Sequence, residues 1–446
     1  MARRNRRQRL PKDPVEATIE SLSHEGRGIV RIDGKTIFVD GALAGEQVKF
    51  VYTKQHKKYD EGKAVEVLTR SEDRVDAKCQ HFGVCGGCSL MHMHPDAQLK
   101  MKQQTLNDHL THFGQLQPQN WLEPLKGPLF GYRRKARLGV KHVPKKERVL
   151  VGFREKGTPY LALLDKCEVL DQRVGPRLTE LGEMIAELEA YNRIAQIEVA
   201  MDDDHVALIF RNLDELSQQD QDALIAYGKQ NELWIYLQSG GPDTVTPIWP
   251  ENPQLSYAPE AGLNLEFQPN DFTQVNAGIN QVMIQRALEL LEVNEDDRIL
   301  DLFCGLGNFS LPLAKRINEV VGVEGDEALV KHARENAAKN SLNNAVFEQA
   351  DLTKTELKDY PWAKAGFNKI LLDPPRTGAF EVLHQLADLG AERLVYVSCN
   401  PATLARDAGE LVNNHGYTLV SAGVMDMFPH TSHVESIALF IKKVIN

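Results

Sequence analysis

Apolar runs of four to seven residues alternate with longer amphipathic stretches throughout the last third of the chain. The short runs predict buried strands and the longer stretches predict helices, which is typical of a mainly parallel sheet covered by helices. The predicted strands are 299–303, 320–323, 345–348, 369–372, 394–397, 418–424 and 435–441. The predicted helices are 276–292, 309–316, 326–340, 379–389 and 402–414. Because no helix separates the last two strands, we expect them to pair antiparallel at an edge of the sheet.

The first part of the chain shows a different pattern, with short alternating segments between glycine-rich turns. Five strands are predicted between residues 13 and 68, with a hairpin turn at Asp33 and Gly34. Such a set is typical of a small β-barrel of the OB type, a common nucleic-acid platform. Residues 69–270 mix strands with a polar helix over 95–117 and a helix near 172–190. We therefore expect a barrel at 13–68, a central α+β domain at 69–270 and an α/β domain at 271–446.

Composition is that of a soluble globular protein. Of 446 residues, 42% are hydrophobic and 26% are charged, which are ordinary values. No apolar stretch approaches the length of a membrane span, and the first residues lack the apolar core of a signal peptide. Six cysteines in a chain of this length do not make a disulfide scaffold. We expect a cytoplasmic protein without membrane association, and no obligate protein partner is evident.

Positive charge is concentrated in two segments, although the net charge is -10. Residues 1–12 carry six cations and no acid, which is typical of a tail that contacts nucleic-acid phosphates or only improves solubility. The second segment is Tyr132–Arg137. We predict that its Arg133, Arg134 and Arg137 contact RNA, because Arg clamps phosphates and stacks on bases. The alternative is a solvated strand face.

Four cysteines have a spacing typical of a metal site. Cys79, Cys85 and Cys88 form a Cys-x5-Cys-x2-Cys pattern in a glycine-rich stretch. Cys167 lies far downstream and supplies a fourth thiol. Four thiolates hold either a tetrahedral zinc ion or an iron–sulfur cluster, and the spacing leaves both alternatives open.

Cys399 lies where a predicted strand ends and a helix begins. Asn400 and Pro401 suit the N-cap and the first position of that helix. A helix N-terminus lowers the pKa of a thiol, and ligands bind at the carboxyl ends of strands in open α/β sheets. We therefore predict that Cys399 is a nucleophile. The alternative is a small buried residue that fills a turn.

Polar residues also follow the other predicted strands. Residues 301–309 combine a strand end, a glycine-rich turn and the start of a helix, and glycine lets the backbone approach a ligand closely. Glu324, Asp351 and Asp373 end or follow the next three strands. An acid at the position of Glu324 is suited to accept both hydroxyls of a ribose. The pattern therefore predicts a nucleotide-type cofactor.

This arrangement resembles the seven-stranded fold of S-adenosylmethionine-dependent methyltransferases. Members that act on exocyclic amines carry an aromatic residue after the two prolines of the fourth strand end, where this chain has Arg376. Methylation of carbon 5 of a pyrimidine instead needs a thiolate, which adds to carbon 6 and makes carbon 5 nucleophilic. Cys399 fits this nucleophile. A base must then remove the proton from carbon 5, and Glu435 is the first candidate and His433 the second.

The motifs together resemble the RNA uracil-5 methyltransferase family. They are residues 272–276, 301–308, 373–376, 398–401 and 433–435, and the match spans residues 13–446. The barrel resembles a TRAM domain. A chain with both this barrel and four such cysteines resembles the branch of the family that modifies 23S ribosomal RNA at uracil 1939. The resemblance implies S-adenosylmethionine as methyl donor. It also implies a 4Fe-4S cluster on Cys79, Cys85, Cys88 and Cys167.

The same resemblance implies roles for further residues. The residues expected to contact the cofactor are Gln274, Phe303, Asn308, Glu324, Asp351 and Asp373. Phe272 is expected to pack on the flipped base. One alternative keeps this chemistry and changes the substrate to a transfer RNA or another 23S uridine. The other alternative is a non-catalytic RNA-binding protein with a redox-sensing cluster, which leaves Cys399, Glu435 and the glycine turn without a role.

Overall fold

The computed structural model describes residues 10–11, 13–352, 354, 356–386 and 388–443. The predicted basic tail lies outside these residues except for Leu10 and Pro11. The chain forms two compact units. The first contains the residues through Thr105 together with Phe428–His433, and the second contains Leu106–Met427 and the residues from Val434 onward.

The first unit contains a six-stranded sheet in the order β1-β5-β6-β4-β3-β2. Its strands are β1 (Val15–Thr18), β2 (Ser21–Leu22), β3 (Gly28–Ile32), β4 (Lys35–Asp40), β5 (Gln47–Gln55) and β6 (Tyr59–Thr69). Only Ile19 and Glu20 separate the two edge strands. The Ile19 N–H donates to Glu46 O at 2.9 Å and the Glu20 N–H donates to Ile29 O at 2.8 Å. One nearly continuous segment therefore joins both edges and closes the sheet into the predicted barrel.

The barrel forms because its strands alternate apolar and polar positions. Alternate residues such as Ile37, Val39, Val48 and Phe50 are buried in its core. The predicted hairpin turn is confirmed, since Asp33 and Gly34 both take positive φ angles, 50° and 78°, as the tight turns of hairpins require. Helix α1 (Pro95–His109) follows and continues as a π-helix over Leu110–Gly114. The predicted helix over 95–117 ends early because Gln115 adopts a left-handed conformation with φ 54°.

The central part of the second unit is a mixed sheet in the order β13-β12-β11-β10-β8-β9. The strands introduced here are β7 (Asn120–Trp121), β8 (Ala136–Val143), β9 (Arg148–Gly152), β10 (Ile194–Met201), β11 (Val206–Asn212), β12 (Leu233–Gln238) and β13 (Val245–Trp249). The helices are α2 (Leu178–Ala186) and α3 (Gln218–Asn231). A small hairpin of β14 (Leu255–Tyr257) and β15 (Leu265–Phe267) follows. Single-turn helices cover Pro144–Lys146, Gly175–Arg177, Pro242–Thr244, Leu357–Asp359 and Pro361–Ala363.

The last third contains the predicted α/β domain, with the sheet order β18-β17-β16-β19-β20-β22-β21-β7. The strands are β16 (Arg298–Leu302), β17 (Glu319–Glu324), β18 (Ala345–Gln349), β19 (Lys369–Leu372), β20 (Arg393–Ser398), β21 (Tyr417–Met425) and β22 (Glu435–Lys442). The helices are α4 (Ala277–Leu291), α5 (Ser310–Ala314), α6 (Glu327–Lys339), α7 (Phe380–Leu386) and α8 (Pro401–Asn414). The central strands β16, β19 and β20 form the core, where Leu300, Leu371 and Tyr396 are fully buried.

All seven strands predicted for this domain are confirmed. Strands β16 to β20 pair in parallel, and β22 pairs antiparallel with both β20 and β21. The sheet differs from the prediction at one edge, because β7 pairs in parallel with β21 and covers it. Within the described part of the chain, no helix has the length and apolar character needed to cross a membrane.

Candidate active site

The sheet order brings the chemically active strand ends to one edge. Strands β17, β16, β19 and β20 are parallel neighbours, so their carboxyl ends lie side by side. Strand β22 runs in the opposite direction and begins at this same edge. Cys399 follows β20, and Glu435 is the first residue of β22. This edge is where open α/β sheets bind their ligands.

Cys399 and Glu435 are brought together by strand register. Ser398 pairs with Ser436 in the antiparallel ladder of β20 and β22, so the next step along each strand places Cys399 opposite Glu435. The Ser436 hydroxyl donates to Ser398 O at 3.1 Å and ties the two strands at this point. Glu435 is buried, with 4% of its surface exposed, while Cys399 is half-buried. The two residues predicted from separate motifs therefore lie next to each other at the sheet edge.

The pKa of Cys399 lies above its ordinary value, which corrects the expectation that the helix N-terminus lowers it. Burial is the main cause, and the negative charges of Glu435 and Asp373 act in the same direction. The positive charge of Arg376 and the backbone N–H of Cys399 oppose them. The expectation considered only the helix N-terminus next to Cys399, whereas burial and two carboxylates from other strands also act on the thiol.

The start of α8 holds the segment that carries Arg376. The Asn400 side chain caps the helix by accepting from the Ala402 N–H at 3.1 Å, as predicted. Its Nδ2 also donates to Arg376 O at 3.0 Å. The Thr403 hydroxyl approaches the same carbonyl at 3.4 Å. The helix that follows Cys399 thus positions the cation that favours its thiolate form.

The glycine-rich turn after β16 has the conformation of a ligand cradle. Phe303, Gly305 and Gly307 have φ angles of 64°, 53° and 91°, and only glycine adopts this region without strain. A Cβ atom on Gly305 would meet no atom within 4 Å, so open space lies beside the turn. Glu324 supports it, since its Oε2 accepts from the Gly305 N–H at 3.1 Å and its Oε1 from the Gly325 N–H at 2.7 Å.

Three carboxyl groups, on Asp301, Glu324 and Asp373, surround this turn. Burial raises the pKa of Asp301 to about 7, and the charges of Asp373 and Glu324 act in the same direction. Burial also raises the pKa of Asp373 to about 7. The Ser310 hydroxyl donates to Oδ2 of Asp301, but Oδ1 is buried and accepts no hydrogen bond within the described residues. An unsatisfied buried acceptor next to a ligand-binding turn is typical of a site that a ligand or a water molecule completes.

The other residues predicted for the cofactor have mixed surroundings. The Asn308 side chain exchanges hydrogen bonds of 2.9 and 3.0 Å with Asn280 and accepts from the Tyr257 hydroxyl at 3.0 Å. Asp351 is exposed and accepts from Lys354 at 2.8 Å. The hydrogen bonds of Asn280 and Tyr257 to Asn308 were not predicted, because both residues lie on distant elements and neither belongs to a local motif.

Phe272 and Gln274 lie on the loop between β15 and α4. Phe272 is 70% exposed, an unusual state for a large aromatic residue, and Gln274 is half-buried. His433, the second candidate for the base, belongs to the first unit, where its ring lies 5.6 Å from that of Phe428.

The predicted metal-binding cysteines form no disulfide bonds within the described residues. In the first unit, Cys79, Cys85 and Cys88 are each half-buried. Burial raises the pKa of Cys85, the charge of Cys79 acts in the same direction, and the Gly87 N–H donates to the Cys85 sulfur at 3.4 Å. In the second unit, Cys167 is half-buried and its N–H donates to Gly175 O at 2.8 Å. No group of three or more His, Cys, Asp or Glu side chains among the described residues is arranged to hold a metal ion.

The predicted basic cluster is partly neutralised by acids. Arg134 pairs with Asp203 at 2.6 Å and is largely covered. Arg137 is mostly exposed and pairs with Glu198 at 2.9 Å. Arg133 donates from Nε to Lys135 O at 3.0 Å. The structure therefore leaves Arg137 as the most accessible of the three predicted RNA-binding arginines.

Comparison with known proteins gives a consistent family. A model of the tRNA (uracil-5-)-methyltransferase family matches residues 94–443, and a TRAM domain model matches residues 10–65. The 23S rRNA (uracil(1939)-C(5))-methyltransferase RlmD of Nitrosococcus oceani is 54% identical over 441 residues, with 99% of each chain covered. The protein of the same name from Alkalilimnicola ehrlichii is 56% identical over 437 residues, with 98% of each chain covered. The TRAM prediction for the barrel is thus confirmed.

A solved structure shares the fold over nearly the whole chain. It is the Pyrococcus abyssi tRNA (uracil-54, C5)-methyltransferase in complex with S-adenosyl-L-homocysteine, with a TM-score of 0.74. The match covers 96% of this chain and 100% of that one, at 23% identity. The likeness supports the Rossmann-like fold of the second unit.

Proposed function

The chain belongs to the tRNA (uracil-5-)-methyltransferase family, and on that premise we propose that it transfers a methyl group from S-adenosyl-L-methionine to carbon 5 of a uridine in 23S ribosomal RNA. The full-length relatives carry uracil 1939 in their names, and we propose the same target here. The observation that carries the proposal is the pairing of Cys399 with Glu435 at the sheet edge beside the glycine turn.

The residues around the glycine turn suit the proposed methyl donor. Open space beside Gly305, two acceptor oxygens on Glu324 and the buried Oδ1 of Asp301 match a ligand with a ribose and cationic groups. When bound, S-adenosyl-L-methionine supplies an electrophilic methyl group on a positively charged sulfur. We assign its binding to Gln274, Phe303, Asn308, Glu324, Asp351 and Asp373.

Cys399 and Glu435 divide the chemistry between them. The Cys399 thiolate adds to carbon 6 of the uracil, which forms a sulfur–carbon bond and leaves an enolate that makes carbon 5 nucleophilic. Carbon 5 then takes the methyl group from the donor sulfur, which keeps the electron pair of the broken bond and leaves as a neutral thioether. The Glu435 carboxylate removes the proton from carbon 5. The electron pair of that carbon–hydrogen bond expels the sulfur from carbon 6. The cation of Arg376 acts against the burial and the carboxylates that disfavour the thiolate, and so favours its formation.

We propose that the barrel of the first unit and several residues of the second unit each contact RNA. The TRAM barrel supplies a nucleic-acid platform. The target base must leave its stack to reach Cys399, and the exposed ring of Phe272 offers it a stacking surface. We assign phosphate contacts to Arg133, Arg134 and Arg137.

We propose a 4Fe-4S cluster bound by Cys79, Cys85, Cys88 and Cys167. The donor set supports this, because four soft thiolates without disulfide bonds suit iron–sulfur or zinc coordination. The thiols lie outside the predicted catalytic domain, so the cluster has a structural or RNA-placing role. The functional segments are then the tail at 1–12, the barrel at 13–68, the central domain at 69–270 and the catalytic domain at 271–446, in a cytoplasmic protein.

The test is methyl transfer with tritiated S-adenosyl-L-methionine and 23S ribosomal RNA from cells that lack this modification. We expect one methyl group per RNA, at carbon 5 of uracil 1939. A product at another uridine, or methyl transfer only in a parallel reaction with transfer RNA, would support the alternative substrates. RNA binding without any methyl transfer would support the non-catalytic alternative.

A further inference from the structure

Lys135 belongs to the basic cluster by sequence, but its side chain is half-buried and turned toward the protein backbone. Its Nζ donates a hydrogen bond to the backbone carbonyl of Asp271. The backbone just before Lys135 contacts the same loop. The Arg134 N–H donates to Val275 O at 2.9 Å, and Arg133 forms an isolated β-bridge with Asn276. The segment that ends in Lys135 therefore lies alongside the loop that carries Phe272.

Asp271 is the anchor of that loop. It is buried, with 8% of its surface exposed, and its Oδ2 accepts from the Gln268 N–H at 2.6 Å. The same oxygen lies 3.0 Å from Nδ1 of His332 on α6. Asp271 thus connects Lys135 to the helix that follows the Glu324 strand. The next residue is Phe272, so an exposed aromatic ring stands directly beside a buried anchor.

The charges around Lys135 favour a role inside the protein. Burial lowers the pKa of Lys135 to about 8 and the positive charge of Arg137 acts in the same direction, while the carboxylates of Asp271 and Glu198 raise it. A lysine that binds RNA phosphates keeps its ammonium group in solvent, where desolvation costs nothing before binding. Lys135 instead has its ammonium group desolvated in the free protein, against a backbone carbonyl.

We propose that Lys135 is a positioning residue, which holds Asp271 and thereby sets the location of Phe272 and Gln274 for the reaction. The inference rests on the proposed function, because it assigns Phe272 to the flipped base. Lys135 makes no phosphate contact in this scheme. Its effect is on the geometry of the loop and not on the electrostatic attraction of the RNA.

The test compares Lys135→Met and Lys135→Arg with Lys141→Met, which removes an exposed lysine from β8, the strand that begins directly after Lys135. We expect Lys135→Met to lower kcat by on the order of 10- to 100-fold, the loss typical of a misplaced reacting group. Lys135→Arg should restore most of the rate. The dependence of RNA affinity on salt should be the same in Lys135→Met and the parent, because no phosphate contact is lost.

Rates measured over a range of pH distinguish the effect of the ammonium charge from the effect of side-chain size. Lys135 loses its proton above about pH 8, whereas arginine stays charged. The ratio of the parent rate to the Lys135→Arg rate should therefore fall as the pH rises through about 8. Other groups in the site that lose protons change the rates of both proteins equally, so their effect cancels in this ratio. A flat ratio would overturn the role of the ammonium group, even if Lys135→Met failed to fold.

Hydrogen exchange of residues 268–276 gives a second, independent measurement. These amides should lose protection in Lys135→Met and keep it in Lys141→Met. Unchanged protection, or a kcat of Lys135→Met equal to that of Lys141→Met, would refute the proposal. If the parent protein methylates no RNA, the proposed function fails, and the exchange result still decides whether Lys135 holds the loop.

Discussion

Glu435 stands opposite Cys399 in the register of two paired strands, one step beyond the pair of Ser398 and Ser436. The charge of Glu435 raises the pKa of Cys399, so the carboxylate and the thiol interact directly through space. One strand pair therefore sets the positions of both groups. In the proposed mechanism, this relation lets a nucleophile and a base act on adjacent carbons of one ring.

Substitution of the two residues should stop the reaction at different stages. Cys399→Ala should bind RNA and cofactor and form neither product nor adduct. Glu435→Gln should form the thiolate adduct and methylate it, and then stall because the proton on carbon 5 cannot leave. Turnover should fall at least about 100-fold. Denaturing electrophoresis should show a methylated protein–RNA species in Glu435→Gln alone.

His433→Ala is the matched control for that experiment and should remain active. A substrate with 5-fluorouridine should trap the parent protein as a similar adduct. Its carbon 5 carries fluorine in place of hydrogen, so the base has no proton to remove. Full activity of Glu435→Gln, or inactivity without any adduct, would exclude Glu435 as the base. His433 would then be the next residue to test.

The affinity for S-adenosyl-L-methionine should fall as the pH is lowered through about 7. Asp301 and Asp373 have pKa values of about 7, so acidification neutralises carboxylates that attract a positively charged ligand. Without ligand, their raised pKa values act in the opposite sense, and their contribution to the free energy of unfolding decreases as the pH rises from about 4 to about 7. Calorimetric titration over this range would measure the affinity.

S-adenosyl-L-homocysteine is the control ligand, since it lacks the charge on sulfur. Its affinity should change less with pH. The Asp373→Asn substitution should reduce the pH dependence of the affinity for both ligands. An identical pH dependence of the two ligands in the parent protein would show that the carboxylates do not recognise the sulfonium charge.

The cysteine cluster should bind iron. Protein purified without oxygen should be brown and contain about four irons per chain, as a 4Fe-4S cluster requires. Cys85→Ser should lower the iron content, whereas Cys304→Ala should not, because Cys304 is a buried thiol of the glycine turn. Stoichiometric zinc without visible absorbance would favour the zinc alternative.

Removal of the predicted RNA-binding arginines should weaken RNA binding and leave cofactor affinity unchanged. Arg134 and Arg137 already pair with acids. Each substitution should therefore reduce the salt dependence of RNA affinity by no more than the loss of about one phosphate contact would. Arg137→Ala should have the largest single effect, since its side chain is the most exposed of the three. Arg193→Ala is the matched control, as Arg193 is also paired with an acid, Asp214. Equal RNA affinity of the triple variant and this control at several salt concentrations would contradict the assignment.

The regular elements of the catalytic domain could be predicted because their local signals are strong. Residues 394–397 are uniformly apolar, and Asn400 and Pro401 mark the start of α8. The short strand β7 could not be predicted, since two residues carry no periodicity and only the partner strand β21 defines them.

The environment of each side chain was harder to predict than its place in the chain. The motif around Cys399 indicated a stabilised thiolate, but the carboxylates that raise its pKa come from two other strand ends. Lys135 stands among arginines in the sequence, and its half-buried position follows from the distant loop at Asp271. Tertiary contacts outweighed local composition in both cases.

The strand β7 also affects how the sheet resists association with other chains. Residues 119–125 follow β21 closely, with the Gln119, Leu122 and Leu125 N–H groups donating to its carbonyls. A side chain at Gly423 would collide with Leu122, at 2.7 Å from its Cβ atom. An uncovered edge strand is a template for intermolecular pairing and aggregation. A fragment that begins at residue 271 would lack this cover, so its solubility would depend on the segment around Trp121 even though that segment carries no catalytic group.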